Sequence, residues 1–298
     1  MDFQPVAAEF GLGPLLSAEQ LAPGHPDVVK LVTASGAYVA KPALDGAAPE
    51  LYELVALVLN EAGPRQARPV RTIAGELISA SGHTVQEFLP GQASSHPTPA
   101  QTLATMRHLA AYHAALARVP VPATLREQDT VWTRVSSADY LLAELPGLLR
   151  RLDPPAADRA VVADALERLA AFLPDLRRLP RQLVHADIGP DNVLMQGDDV
   201  VAVVDFTPAE QPVLFAIAAA AYWYHIHGHS ELDPDAIRAS LEAAGPWTDA
   251  ELAAWPAMLI QEAMRRVATP LAIAAETGGP IAASAAARLH AALMLMRG

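Results

Sequence analysis

The chain has 298 residues, of which 52% are hydrophobic and 18% charged, and 21 basic against 33 acidic side chains give a formal net charge of −12. This composition is typical of a globular protein, and the acidic balance argues against non-specific binding to nucleic acid or to an anionic membrane. Because the sequence has no cysteine, disulfides, thiol nucleophiles and cysteine-based zinc sites are excluded. The N-terminus shows no leader-like pattern and no apolar run is long enough to span a bilayer, so a cytoplasmic enzyme is expected.

The first ninety residues predict an antiparallel sheet with one helix. Pro14 to Ala22 indicates either a strand or a short helix. Further strands are predicted at residues 28–32, 37–41, 71–79 and 84–89, and a helix at residues 49–62. The Pro90-Gly91 pair closes the last strand and predicts a boundary between an N-terminal nucleotide-binding lobe, residues 1–91, and a helical C-terminal lobe, residues 92–298.

Lys41 stands at the end of the second clear strand and is a candidate phosphate contact. Only one other lysine, Lys30, occurs among the 21 basic side chains, and a compact ammonium differs from the arginine fork used elsewhere. An exposed charge at the end of a strand is the alternative. The helix at 49–62 offers Glu50 and Glu53 as partners for Lys41, and their spacing does not choose between them. We include Glu53 in the candidate nucleotide site, with Glu50 as the alternative.

The strand that leads to Pro90-Gly91 also suggests where a purine base would bind. Backbone groups past the edge of a sheet have no ladder partner and are available for hydrogen bonds. The Glu87 carbonyl and the Leu89 amide are therefore the candidates for hydrogen bonds to an adenine ring.

The remainder of the chain predicts mostly helices. A capping box, Thr98-Pro99-Ala100-Gln101, begins the first of them. Helices are expected at residues 98–118, 138–145, 156–172, 213–224, 234–244, 249–271 and 281–296. Within the 249–271 helix, Glu262, Arg265 and Arg266 cluster, and we interpret them as a surface ion-pair group.

Aromatic and histidine residues close the helix at 213–224. Tyr222, Trp223, His225 and His229 either line a substrate pocket or cap the core. A zinc site through the two histidines is the least favoured alternative, because Gly228 is expected to end the helix between them and no acidic ligand stands at a familiar spacing.

The most informative stretch, residues 182–206, reads QLVHADIGPDNVLMQGDDVVAVVDF. His185, Asp187 and Asn192 precede a short strand, a polar turn and an apolar run that ends at Asp205-Phe206, which together predict a hairpin. The residue that enters a hairpin lies near the residue that leaves it, so Asn192 and Asp205 are expected side by side with Asp187 just upstream. Amide and carboxylate oxygens suit Mg²⁺.

The same residues follow the order His-x-Asp-x-x-x-x-Asn and then Asp-Phe at a strand end, as in the catalytic and metal-binding segments of protein kinases. A chance accumulation of polar residues in a turn is the alternative. The complete set, in order and on the predicted strands, favours the functional interpretation.

The chain resembles the aminoglycoside phosphotransferase family, which also takes in choline kinase-like and homoserine kinase type II-like enzymes and shares the protein kinase fold. The resemblance rests on Thr-x-x-Gly-x-Tyr-Val-x-Lys at residues 33–41, Gln-Glu-Phe-Leu-Pro-Gly at residues 86–91, and the motifs from His185 to Phe206. It implies an α+β, protein kinase-like bilobal fold: a small N-terminal lobe with an antiparallel sheet and one helix, and a larger, mainly helical C-terminal lobe.

The resemblance also implies a role for each matching residue. Asp187 would be the catalytic base or the carboxylate that orients the hydroxyl, and Asn192 and Asp205 would be the Mg²⁺ ligands. Lys41 would contact the α- and β-phosphates of ATP or GTP, and His185 would support the loop.

The sequence departs from the family at three points. Ala186 and Gly189 replace the glycine and the second histidine of the usual His-Gly-Asp-x-His-x-x-Asn loop. Residues 213–216 read Val-Leu-Phe-Ala where Asp-Leu-Ala is common, and the glycine-rich phosphate loop is reduced to Gly24 with His25-Pro26.

The expected activity is transfer of the γ-phosphoryl group to a hydroxyl of a small molecule, either an antibiotic such as an aminoglycoside or an amino-alcohol metabolite. A cationic acceptor would suit the acidic charge, and a monomer or a homodimer is expected. Ala186 replaces the arginine of protein kinases and no activation loop fits after Phe206, which disfavours a protein acceptor. A regulatory, nucleotide-binding pseudokinase is the alternative, but the presence of Asp187, Asn192 and Asp205 favours an enzyme.

Overall fold

The computed structural model describes residues 2–22, 25–43 and 49–297. The chain divides into two compact units, Met1–Gln92 with Leu194–Asp205, and Ala93–Val193 with Phe206–Gly298. The predicted architecture is confirmed, because an antiparallel sheet with its helix is followed by a mainly helical part. Gly24 of the reduced phosphate loop lies outside the described residues.

The first unit is built on a five-stranded antiparallel sheet in the order β1-β2-β3-β5-β4. The strands are β1 (Leu15–Ala22), β2 (His25–Thr33), β3 (Gly36–Pro42), β4 (Pro69–Val70) and β5 (His83–Glu87). Residues 14–22 were predicted to form either a strand or a short helix, and the structure has the strand. Helix α2 has the predicted bounds, Pro49–Ala62, and a short helix α1, Gln4–Glu9, was not predicted. Residues of α1 share a buried core with strand residues such as Leu31 and Val85.

The prediction of a strand at residues 71–79 is wrong. The Thr72 amide donates to the Glu76 carbonyl, and the Thr72 hydroxyl accepts from the Glu76 amide. Gly75 has a φ of 90°, a conformation that a strand residue does not adopt. A local polar turn therefore satisfies these backbone groups in place of a ladder.

The predicted hairpin of the central stretch is present. Strands β8 (Val193–Gln196) and β9 (Asp199–Val203) form a sheet with β6 (Gln92–Ala93) in the order β6-β8-β9. The predicted boundary at residue 91 assigns the hairpin to the C-terminal lobe. In the structure, the segment that contains most of the hairpin, Leu194–Asp205, belongs to the first unit. The reason is packing, since Leu194 lies against a buried cluster of Ala67, Leu89 and Ala202.

Helices and one small sheet make up the second unit. The helices are α3 (Pro99–Leu116), α4 (Ala123–Arg126), α5 (Val131–Val135), α6 (Ala138–Leu149), α7 (Ala156–Leu176), α8 (Val213–His225), α9 (Pro234–Ala243), α10 (Asp249–Thr277) and α11 (Ser284–Arg297). The predicted capping box at Thr98 is confirmed. Strands β7 (Gln182–His185) and β10 (Pro208–Gln211) pair antiparallel. Helix α10 packs against α6, α7, α8 and α11, which makes it the central helix of this unit.

Among the described helices, none combines the length and the hydropathy that a membrane crossing requires.

Candidate active site

The segment between β7 and β8 carries Asp187 and Asn192 in the second unit. It ends in a single 3-10 turn, Pro190–Asn192, where proline fixes the first position. The Asn192 amide nitrogen donates to the Asp187 carbonyl oxygen over 2.8 Å, which fixes the side chain across the loop. The other atom of that amide, its oxygen, is of the kind that ligates Mg²⁺.

His185 anchors this segment from inside the protein. Its side chain is fully buried, and its Nδ1 accepts hydrogen bonds from the backbone amides of Asp187, at 3.3 Å, and Thr207, at 3.4 Å. Since both donors are amides, Nδ1 carries no proton. The ring also lies edge-on to Phe206, with 5.5 Å between the ring centres. His185 therefore ties the Asp187 segment to the chain that follows Phe206.

Asp187 is held as an ionised carboxylate. Its Oδ1 accepts a hydrogen bond from Arg266 Nη1 over 2.7 Å, and 40% of its side chain is exposed. Burial raises the pKa of Asp187, but the positive charges of Arg266 and Arg265 outweigh burial and hold this pKa below its usual range. An ionised carboxylate accepts hydrogen bonds only, which suits a group that orients a hydroxyl.

The interpretation of Glu262, Arg265 and Arg266 as surface ion pairs is wrong, because all three side chains are buried in α10. Glu262 accepts from Arg265 Nε at 2.6 Å and from Arg266 Nε at 2.5 Å. Arg265 also donates through Nη2 to the carbonyl of Ala186 at 3.0 Å. This buried triad, Glu262-Arg265-Arg266, therefore fixes both Asp187 and the residue before it.

The sequence did contain a signal for the buried triad. Most of the residues around it in α10 are apolar, namely Met258, Leu259, Ile260, Ala263, Met264, Val267 and Ala268. A helix that is hydrophobic all round is buried in a core, so charges within it are interior charges. The spacings of three and four residues also place the triad on one face.

Two aromatic rings of α8 complete the surroundings of Arg266. Its guanidinium carbon lies 4.7 Å from the centre of the Trp223 ring and 6.0 Å from that of Tyr222. A Cβ on Gly189 would lie only 3.3 Å from Trp223 Cδ1, so the glycine that replaces the second histidine of the family pattern leaves room for the indole.

The two other residues suspected of lining a pocket have different surroundings. His225 Nε2 is 2.7 Å from the hydroxyl of Ser240, and burial lowers the pKa of His225 to about 4. His229 is exposed. Within the described part of the chain there is no group of three histidine, aspartate or glutamate side chains that could hold a metal ion, which gives the zinc alternative no support.

In the first unit, Lys41 and Asp205 form an ion pair. Lys41 Nζ donates to Asp205 Oδ1 over 2.8 Å. Asp205 has a φ of 55°, a left-handed conformation that is uncommon for a residue other than glycine and that is concentrated at functional sites. Burial raises the pKa of Tyr52 on α2, and the negative charge of Asp205 adds to this effect. The candidate phosphate-binding lysine and the candidate metal ligand are thus neighbours.

Of the two glutamates offered as partners for Lys41, Glu53 pairs with Arg71 instead, and Lys41 contacts Asp205. Both oxygens of Glu53 accept from Arg71, from Nε at 2.9 Å and from Nη2 at 2.5 Å. The bidentate arginine fork suits a carboxylate better than a single ammonium does. This pair lowers the pKa of Glu53, mainly through the hydrogen bond to Arg71.

The predicted adenine-binding segment leads out of β5. The Phe88 amide donates to the Ala37 carbonyl at 3.0 Å, and the Leu89 side chain is buried. For the Leu89 amide, no backbone acceptor occurs among residues 2–22, 25–43 and 49–297. Glu87 and Leu89 remain predicted contacts of the purine base.

Sequence comparisons identify relatives over most of the chain. The profile described as "Phosphotransferase enzyme family" matches residues 18–258. The homoserine kinase of Methylobacillus glycogenes is 33% identical over 261 residues, which are 84% of this chain and 78% of that protein.

Solved structures share the fold at much lower identity. An amicoumacin kinase in complex with AMP-PNP, Ca²⁺ and Ami has a TM-score of 0.69 at 16% identity, over 99% of this chain and 93% of that one. The choline kinase LicA of Streptococcus pneumoniae has a TM-score of 0.64 at 15% identity, over 98% of both chains. These structures confirm the kinase-like fold.

Glu262→Gln is expected to destabilise the protein by about 3–5 kcal/mol, because it leaves the buried Arg265 with no carboxylate partner and Arg266 with only the partly exposed Asp187. Urea unfolding followed by circular dichroism measures the change. Glu242→Gln is the matched control, since Glu242 lies on the surface, 3.9 Å from Arg238 Nε, and its loss should cost less than about 1 kcal/mol. Equal losses for the two variants would contradict the buried role of Glu262.

Proposed function

We propose that this chain, which belongs to the phosphotransferase enzyme family, transfers the γ-phosphoryl group of ATP to the hydroxyl of homoserine. The predicted activity is confirmed at the level of an ATP-dependent phosphotransferase with an alcohol group of a small molecule as acceptor, so the pseudokinase alternative falls away. The observation that carries the choice of acceptor is the similarity to homoserine kinases along most of both chains.

The expectation of an antibiotic as the acceptor receives no specific support from these relatives. The amicoumacin kinase shares only its fold with this chain at 16% identity. The net charge of the protein suggested a cationic acceptor. Homoserine carries a positive ammonium but also a negative carboxylate, so it is zwitterionic rather than cationic. A cytoplasmic location stays a prediction.

We assign to Asp187 the role of binding and orienting the acceptor hydroxyl. Its ionised carboxylate accepts a hydrogen bond from that hydroxyl, aims the oxygen lone pair at the phosphorus and takes the proton as the new bond forms. Arg266 keeps the carboxylate ionised and, with Asn192 bound to the Asp187 carbonyl, limits its movement. Positioning of this kind supplies most of the catalysis in phosphoryl transfer.

Asn192 and Asp205 keep their roles as proposed ligands of Mg²⁺. Their oxygen donors belong to the class that this ion prefers, and a cation held by one or two protein groups normally takes its other ligands from phosphate and water. When bound, the ion neutralises negative charge on the phosphates. That Asn192 and Asp205 hold one common ion stays a prediction.

Lys41 is proposed to bind the phosphates of the nucleotide, beside the Asp205 carboxylate that it already contacts. The Glu87 carbonyl and the Leu89 amide are proposed to bind the adenine. Glu53 has no such role in the proposal, because its carboxylate is engaged by Arg71.

Purified protein with ATP and Mg²⁺ should release ADP with homoserine at a kcat/KM well above that with choline, ethanolamine, spectinomycin or kanamycin. The reason is that homoserine kinases are about one third identical to this chain over most of its length, whereas the choline kinase and the amicoumacin kinase are similar to it in fold. A coupled ADP assay measures the rates, and phosphorus NMR identifies O-phosphohomoserine. Turnover of choline or an antibiotic without turnover of homoserine would overturn the assignment.

Asp187→Asn should lower kcat by about 10²–10⁴-fold, because an amide cannot take the proton of the hydroxyl. The KM for ATP should stay close to that of the unchanged protein. Asp191→Asn is the matched control: Asp191 lies on the same segment, is exposed, and should keep nearly full activity. Steady-state kinetics of both variants test the role given to Asp187, and unchanged kcat in Asp187→Asn would refute it.

The acid limb of the pH profile should report the ionisation of Asp187. Because the pKa of Asp187 is lowered in the folded protein, its ionised form persists above that pKa and is lost as the pH falls through it. Arg266→Gln removes a positive charge and so raises the pKa of Asp187. As the pH falls, activity should therefore be lost at a higher pH than in the unchanged protein, whereas Arg266→Lys should shift the acid limb less. Profiles of kcat/KM against pH measure this, and identical acid limbs for all three proteins would contradict it.

A further inference from the structure

Polar atoms without partners collect beside Asp187 in the second unit. Six buried side-chain nitrogen or oxygen atoms of the described residues lack a hydrogen-bond partner. Four of them, Arg266 Nη2, Arg288 Nε, Tyr222 Oη and His227 Nδ1, belong to neighbouring side chains of α8, α10, α11 and the turn after α8. Buried polar groups are normally paired, so a concentration of unpaired donors is typical of a place that binds a polar ligand.

The four side chains are packed against one another. Tyr222 and His227 stack with 5.9 Å between ring centres, and the Arg266 guanidinium lies 6.0 Å from the Tyr222 ring. Arg288 Nη1 donates to the backbone carbonyl of Arg266 at 3.4 Å. We call these four residues the arginine cluster.

The charge around the arginine cluster is not balanced. The Glu262 carboxylate is shared by Arg265 and Arg266, and the Asp187 carboxylate is bound to Arg266. Arg288 brings a third positive charge against two negative ones. Burial lowers the pKa of Arg288, and the positive charge of Arg266 lowers it further. An anion at this place would therefore be bound favourably.

We propose that the arginine cluster is a carboxylate-binding subsite for the acceptor, with Arg266 Nη2 and Arg288 Nε as its charged donors and the Tyr222 hydroxyl as a neutral one. This inference rests on the proposed function, in which homoserine supplies the carboxylate. Arg266 has its Nε on Glu262 and its Nη1 on Asp187, so its one remaining nitrogen lies on the same guanidinium that holds the hydroxyl-orienting carboxylate.

The chemistry of the cluster favours a carboxylate. A guanidinium is planar and presents donors that match the two oxygens of a carboxylate. The face of Arg266 is covered by Trp223 at 4.7 Å, which leaves the edge of the guanidinium for a planar ligand. In homoserine the hydroxyl and the carboxylate are joined by a short carbon chain, so both can be held by groups adjoining one arginine. Acceptors without a carboxylate leave these donors unpaired, at a cost in affinity.

Arg288→Gln tests the subsite, because Arg288 makes no hydrogen bond to Asp187 among the described residues. The KM for homoserine should rise about 10- to 100-fold, the value of one hydrogen bond between charged groups, while the KM for ATP stays unchanged. Arg288→Lys should recover part of the loss. Arg297→Gln, on the same helix but exposed and paired with Asp158, is the matched control and should leave both constants unchanged.

Two analogues of homoserine, each lacking one charged group, identify the group that Arg288 binds. Aminopropanol is homoserine without its carboxylate, and γ-hydroxybutyrate is homoserine without its ammonium. Arg288→Gln should raise the KM, or the dissociation constant measured by calorimetry, for γ-hydroxybutyrate and leave that for aminopropanol unchanged. Equal effects on both compounds, or a rise in the KM for ATP instead, would overturn the subsite, the latter because the anion would then be a nucleotide phosphate.

The outcomes for the subsite and for the proposed function are distinguishable. If homoserine is phosphorylated and its KM is the same in Arg288→Gln, the subsite is refuted and the proposed function stands. If homoserine is not phosphorylated but γ-hydroxybutyrate binds and loses its affinity in Arg288→Gln, the subsite stands and the proposed function falls. Urea unfolding of Arg288→Gln beside Arg297→Gln verifies that both variants are folded.

Discussion

The contact between Arg266 and Asp187 is the interaction on which the candidate active site depends. It places a positive charge inside the protein, and that charge is tolerated because Glu262 shares its carboxylate between Arg266 and Arg265. Glu262 can do so only because α10 is enclosed by α6, α7, α8 and α11. The packing of an apolar helical core therefore fixes the ionisation and the orientation of one partly exposed carboxylate.

Two independent attachments hold the segment that carries this carboxylate. His185 accepts from the Asp187 amide, just after β7, and from the Thr207 amide, just before β10, and the Asn192 side-chain amide donates to the Asp187 carbonyl. Arg265 adds a third restraint at Ala186. These bonds are made by residues of the second unit alone, so none of them depends on a bound nucleotide. Preorganisation of this kind is what phosphoryl transfer demands of a protein.

Local patterns in the sequence predicted most of the fold, because hairpins, capping boxes and amphipathic helices are encoded by neighbouring residues. The hairpin after Asn192, helix α2 and the capping box at Thr98 were all predicted. Partners distant along the chain were not. Glu53 pairs with Arg71 because a turn, not a strand, follows Val70, and Arg266 reaches Asp187 across 79 positions. Spacing within a helix reveals a shared face but not what that face meets.

Gly189 lies so close to Trp223 that it limits what can stand at position 189. A Cβ there would lie 3.3 Å from the indole, so the loop or the ring that covers the face of Arg266 would have to shift. A histidine at 189 would need part of the space that the indole fills, so restoring the usual loop pattern in this chain would call for a second replacement at position 223.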